Sequence, residues 1–110
     1  MRTKKVVIIK EELIKDAKDV LNTLMKEKGF EYVTFKGEQV WKKGKGFFTA
    51  PKLMKFNFIE NNKLQIEAWI KTAILPGIYV GESDLDSNYG FLIKAELKSL
   101  IKKIYEMLSI

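Results

Sequence analysis

The strongest constraint on this chain's fold is the alternation of apolar and polar residues in two neighbouring runs, 54–59 and 64–72, with Asn61-Asn62 between them. A period of two belongs to strands with one buried face, and a slip of one residue in their pairing moves every side chain to the wrong side. A two-residue loop at Asn61-Asn62 with regular pairing would set Phe58 against Gln65 and Phe56 against Glu67. A three-residue loop, Asn61-Asn62-Lys63, sets Phe58 against Ile66, Phe56 against Ala68 and Met54 against Ile70, which keeps apolar residues together. The second register is the one expected. It makes Phe56, Phe58, Leu64, Ile66, Ala68 and Ile70 the core face, with Lys55, Asn57, Ile59, Gln65, Glu67, Trp69 and Lys71 on the other. An Asn near the end of the loop would take the left-handed conformation that such turns often need.

Around this hairpin the rest of the chain reads in order. Val6 to Ile9 is a short β-branched run suited to a strand. Residues 11–28 carry Leu13, Ile14, Ala17, Val20, Leu21, Leu24 and Met25 at helical spacing, acids at the start, lysines at the end and Gly29 as a stop. Residues 30–36 and 39–43 read as strands joined at Gly37, and Gly44-Lys45-Gly46 as a loop. Residues 47–50 begin another strand that Pro51 ends. Residues 73–80 are two short extended pieces bent at Pro76-Gly77, followed by a polar loop over 81–90. The last segment, 91–108, places Ile93, Leu97, Leu100, Ile101, Ile104, Met107 and Leu108 on one helical stripe.

The expected class is therefore α+β, order β-α-β(4-5)-α: a curved antiparallel sheet with two helices on one face, filling residues 1–110 as a single domain. The element order resembles the TATA-binding-protein-like half-domain, with the larger helix-grip fold as the alternative. A second likeness is local. Ile66-Glu67-Ala68-Trp69, then Leu75-Pro76-Gly77-Ile78-Tyr79-Val80-Gly81-Glu82, then the terminal helix, resemble a small domain of low-GC Gram-positive bacteria over residues 53–108. Some members of that family carry an N-terminal zinc ribbon and others membrane segments. This chain has no cysteine, so the resemblance implies a bacterial source but brings neither zinc nor an activity.

Composition removes several chemistries. With Cys 0 and His 0, disulfides, thiolate or imidazole catalysis and the usual zinc sites are excluded. Twenty Lys+Arg against fourteen Asp+Glu give a basic chain of charge +6, yet Arg2 is the sole arginine. Lysine lacks the planar fork that suits base edges, so most of this charge reads as solvation. Residues 1–55 hold 14 basic and 7 acidic side chains, and 56–110 hold 6 and 7. The N-terminal apolar run ends at Lys10-Glu11-Glu12, far short of a secretory core, and no run reaches the roughly 20 residues of a membrane span. A cytoplasmic protein without a transmembrane segment is expected.

Trp69, on the face away from the helices, is expected to stand exposed with Lys55 opposite, Glu67 and Lys71 beside it and Ile59 on the same face. That group is the expected interface, of a kind that serves a homodimer; the alternative is that a loop or the neighbouring Lys stems cover the ring as part of a second small cluster. Lys42, Lys43, Lys45, Lys52 and Lys55, interleaved with Trp41, Phe47 and Phe48, are candidates for a polyanion or nucleic acid, against the plainer reading of a solvated loop. Glu82, Asp84, Asp86 and Asn88 alternate like oxygen ligands, but Tyr89 and Ala95 break the calcium-loop pattern, and capping of the final helix explains them. Glu67 and Glu82 supply two carboxylates without a substrate-shaping pattern. A small apolar ligand between the sheet and Ile104, Met107 and Leu108 is a further possibility. No catalytic residue, metal or cofactor is expected, and the reading is a non-catalytic binding or assembly domain, with nucleic acid the second choice.

Overall fold

The computed structural model describes residues 2–44, 51–75, 78–85 and 91–110, with side chains placed except at 72–75, 78–81, 83 and 91–93. The chain is α+β, as its patterning requires. Its elements are β1 (Thr3–Ile8), α1 (Ala17–Glu27), β2 (Glu31–Phe35), β3 (Glu38–Lys43), β4 (Lys52–Glu60), β5 (Lys63–Leu75), β6 (Ile78–Ser83) and α2 (Phe91–Leu108). All described strand pairs are antiparallel, in the order β1-β5-β4-β3-β2, with β6 also on β5. The 13 residues of β5 explain this branch. Residues 63–68 pair with β1 and residues 70–75 with β6, so two short strands lie end to end along one long one.

The β4–β5 register corrects the expected one. Glu60 faces Lys63, so the loop is the two-residue Asn61-Asn62, but Ile59 is an extra residue and Phe58 then faces Leu64, Phe56 Ile66 and Met54 Ala68. The bulge does what the longer loop was expected to do, restoring the parity that keeps apolar side chains on one face. Neither Asn is left-handed: Lys36 is the only non-glycine residue with positive φ among the described residues. Lys36 (φ 51°) and Gly37 (φ 81°) instead form the β2–β3 turn, the two-residue type whose twist matches the strands.

The expected helix over 11–28 is split, with a 3-10 turn at Glu11–Leu13 before α1. Backbone bonds from Ile9 to Asn62 and from Lys10 to Leu108 fasten the chain there to the hairpin and to the end of α2. Gly29 (φ 86°) closes α1: it donates to Lys26 and Phe30 donates to Met25, the paired bonds of a left-handed helix stop. Both helices lie on the same sheet face. Leu21, Leu24 and Met25 of α1 and Leu97, Leu100, Ile104 and Leu108 of α2 join Val7, Trp41, Met54, Leu64, Ile66, Ala68 and Ile70 in the main core.

On the opposite face Val40, Leu53 and Trp69 form a second buried cluster, with Val33 and Phe35 against it. Residues 81–83 extend β6, so the polar loop begins later than expected. The expectations for 45–50, Pro76-Gly77 and the capping loop at 86–90 lie outside the described residues. No helix among the described residues is long and apolar enough to cross a membrane.

Candidate binding site

Pairing of Thr3 with Ala68 brings the residue before β1 beside Trp69, on the face without helices. That residue is Arg2. Its guanidinium carbon lies 3.7 Å from the centre of the Trp69 ring, and its nitrogens donate to three glutamates. Nε and Nη2 reach Glu82 at 3.0 Å each, Nη1 and Nη2 both reach Glu38, the former at 2.9 Å, and Nη1 reaches Glu67 at 3.2 Å. Lys55 adds a bond to Glu38 at 3.1 Å and Asn57 one to Glu67 at 2.6 Å. In a flat sheet β1 and β3 would stand about 14 Å apart, three strand spacings. The Arg2–Glu38 pair therefore reports a sheet that coils over this face.

Of the two readings of Trp69 the structure has the covered one, the ring lying in the second small cluster. The ring is on the expected face but only 1% exposed, and Glu67 and Lys71 are buried with it. Leu53, not Lys55, is its partner across the ladder, and Lys55 faces Glu67. Hydrogen bonds from Arg2, reinforced by Lys55, hold the Glu38 carboxyl at a pKa of about 2, and those from Arg2 also lower Glu82. Glu38 and Glu82 are thus ionised at neutral pH and have no proton to give. Of the expected interface group, Ile59 remains well exposed.

The lysine candidates are separated rather than gathered. Lys43 and Lys52 pair across β3–β4 and both donate to Glu96 of α2, at 2.6 and 2.5 Å. Burial pushes the Glu96 carboxyl up, but these two bonds outweigh it and leave it lowered. Lys55 is taken by Glu38, Lys45 lies outside the described residues, and Lys42 points its ammonium at Phe35. Glu82 of the calcium candidates is engaged by Arg2, Asp86 and Asn88 lie outside the described residues, and among the described residues no group of His, Cys, Asp and Glu could hold a metal. Ile104 and Leu108 fill the core, whereas Met107 lines an open groove between α1 and α2.

A different groove, of about 340 Å³, opens between α1 and the β2–β4 part of the sheet. Its helix wall carries Lys18, Asn22 and Lys26, one turn apart, and its sheet wall carries Tyr32, Trp41, Phe56 and Phe58. Tyr32 and Trp41 face each other across β2–β3 with ring centres 5.0 Å apart. Tyr32 is 58% and Phe58 43% exposed. The signal for this site was the turn at Lys36-Gly37: a two-residue loop there makes Tyr32 and Trp41 neighbours. The chain matches no family model, no curated protein and no solved structure.

Proposed function

We propose that the protein is a non-catalytic binding domain that seats a flat, negatively charged ligand in the groove between α1 and β2–β4. One observation carries this reading: two exposed aromatic rings stand over a floor of Trp41 and Phe56, with Lys18 and Lys26 on the rim and no acidic side chain in the lining. The groove has the size of small-ligand sites, roughly 300–1,000 Å³, and their blend of apolar wall with a few polar groups. Aromatic rings take a planar body face or edge on, and the lysines favour an anion at its end. The clamped carboxylates around Arg2 support binding over acid–base chemistry.

The aromatic sulfonate 8-anilinonaphthalene-1-sulfonate is the probe. Its fluorescence is expected to rise on binding to the folded chain, and the Lys18→Glu/Lys26→Glu pair is expected to weaken it about tenfold, since each reversal replaces an attraction by a repulsion. Lys98→Glu/Lys102→Glu on α2 should leave it unchanged. Equal weakening by both pairs would reduce the effect to net charge and overturn the reading.

A second reading, self-association, is favoured by Val6, across from Gln65 on the helix-free face, and by Ile59 at the β4 bulge, which are 45% and 54% exposed. Exposed apolar groups close in space mark contact surfaces. Sedimentation at micromolar concentration should then give a dimer for the wild type and a monomer for Val6→Lys/Ile59→Lys; two monomers would dispose of it.

A further inference from the structure

The β2–β3 hairpin sets two rungs on the sheet face that carries the helices. Tyr32 faces Trp41 on one, and Thr34 faces Gln39 on the next. Successive rungs of one face stand two residues apart along a strand, about 7 Å. The first rung is aromatic, with ring centres 5.0 Å apart and Tyr32 58% exposed. The second is polar and directional, since Gln39 Nε2 donates to Thr34 Oγ1 at 2.6 Å. That bond fixes the orientation of the amide and leaves Gln39 Oε1 as an acceptor for a ligand. Tyr32, Gln39 and Trp41 all line the groove beside α1.

The spacing of the rungs suits a planar base. The exocyclic groups of a base stacked on the aromatic rung lie just outside its ring, and a hydrogen-bond partner stands about 2.9 Å beyond them. The partner therefore belongs roughly 6 Å from the ring centre, close to the next rung. Aromatic side chains on a sheet surface stack bases in this way. Because the polar rung offers an acceptor, the base must bring a donor, the amino group of adenine or cytosine. A two-ring base covers more of the aromatic lining than a one-ring base, which favours adenine. On the helix wall Lys18 and Lys26 supply charge for a phosphate, with the amide of Asn22 between them for the sugar. A groove of about 340 Å³ is at the small end of ligand sites and takes one such nucleotide.

We propose, resting on this groove as the binding site, that its ligand is a nucleoside monophosphate with an amino-bearing base, adenosine monophosphate being the best fit. Tyr32 and Trp41 stack the base, Gln39 reads its amino group and Thr34 holds Gln39 in the reading orientation.

Calorimetric titration of the full chain with adenosine and inosine monophosphates, at constant ionic strength, tests it. The two differ in that inosine carries an oxo group where adenosine carries the amino group. Adenosine monophosphate is expected to bind the wild type about tenfold tighter, because the oxo group sets acceptor against acceptor. Gln39→Leu should bring the two within twofold, and Thr34→Val, which frees the amide to turn, should narrow the ratio as well. Mere loosening of the hairpin would weaken both nucleotides alike, so an unchanged ratio in both variants would overturn the proposal. Lys18→Glu/Lys26→Glu should weaken adenosine monophosphate about tenfold, and Lys98→Glu/Lys102→Glu should not. If the anilinonaphthalene sulfonate binds in its lysine-dependent way and adenosine monophosphate fails to displace it, the groove stands and the nucleotide falls; if neither binds, both fall. Equal affinity for the two nucleotides also overturns the proposal, as does a tri-adenylate binding more than tenfold tighter, the mark of a strand.

Discussion

Arg2→Met is expected to lower unfolding free energy by about 2–3 kcal/mol at pH 7. Breaking a fully buried ion pair by removing one partner costs about 3–5 kcal/mol. The side chains here are 17% exposed for Arg2 and 31% for Glu38, so solvent screens part of that loss. The variant also changes the sign of the acid response. In the wild type Glu38 and Glu82 have lowered pKa values in the folded state. The stability they contribute is present above the unfolded carboxylate value of about 4.3. It is lost as pH falls from there toward about 2, where Glu38 protonates. Without Arg2, Glu38 and Glu82 lose the bonds that hold their pKa values down while crowding together beside a buried ring, so their folded pKa values rise and mild acid relieves repulsion. Urea unfolding midpoints at pH 7, 5 and 3 should fall for the wild type below pH 5 and rise for Arg2→Met between pH 7 and 5. Parallel acid limbs would show that Arg2 does not hold these carboxylates.

The sequence pattern carried parity further than register. Alternation assigned the side chains of β4 up to Phe58 and of β5 from Leu64 to Lys71 to their faces because an even shift leaves faces unchanged, and the bulge at Ile59 and a longer loop differ by an even shift; at Ile59 itself the bulge interrupts the alternation. Choosing between them needs the backbone angles of Asn61 and Asn62, on which side-chain pattern is silent. Gly29 and Gly37 were legible as a helix stop and a turn because each stands at a positive φ that other residues avoid. Lys36 shares that conformation, against its own preference, and nothing local announces it.

Long-range closure was the illegible part. That β1 and β6 would share one side of β5 depends on the length of β5, and the coiling depends on the whole sheet. Arg2 was visible as the sole arginine among twenty basic residues, but its meeting with Trp69 rests on the pairing of β1 with β5, strands far apart in the chain. For this reason the pattern alone left Trp69 open between an exposed and a covered ring. The aromatic groove was nearer to hand, since Tyr32 and Trp41 are cross-strand neighbours once the turn is fixed, and Lys18, Asn22 and Lys26 repeat every four residues along one helix.

Trp69→Ala is expected to cost about 3–5 kcal/mol, the range for emptying a buried aromatic site. The ring is 1% exposed between Val40 and Leu53 and under Arg2, so the loss is of packing and not of a surface contact. Its Nε1–H is buried without a hydrogen-bond acceptor among the described residues, a deficit of about 1–3 kcal/mol. Trp69→Phe removes that deficit along with some volume, and its net cost should be about 1 kcal/mol or less. The guanidinium rests on the ring, so the costs of Arg2→Met and Trp69→Ala should not add. A double-mutant cycle in urea should show about 1–2 kcal/mol of coupling, the combined variant being less unstable than the sum. Additive losses would mean that the carboxylates alone fix Arg2. A near-neutral Trp69→Ala would mean that the ring is open to solvent, and would return the helix-free face to its first reading as a contact surface.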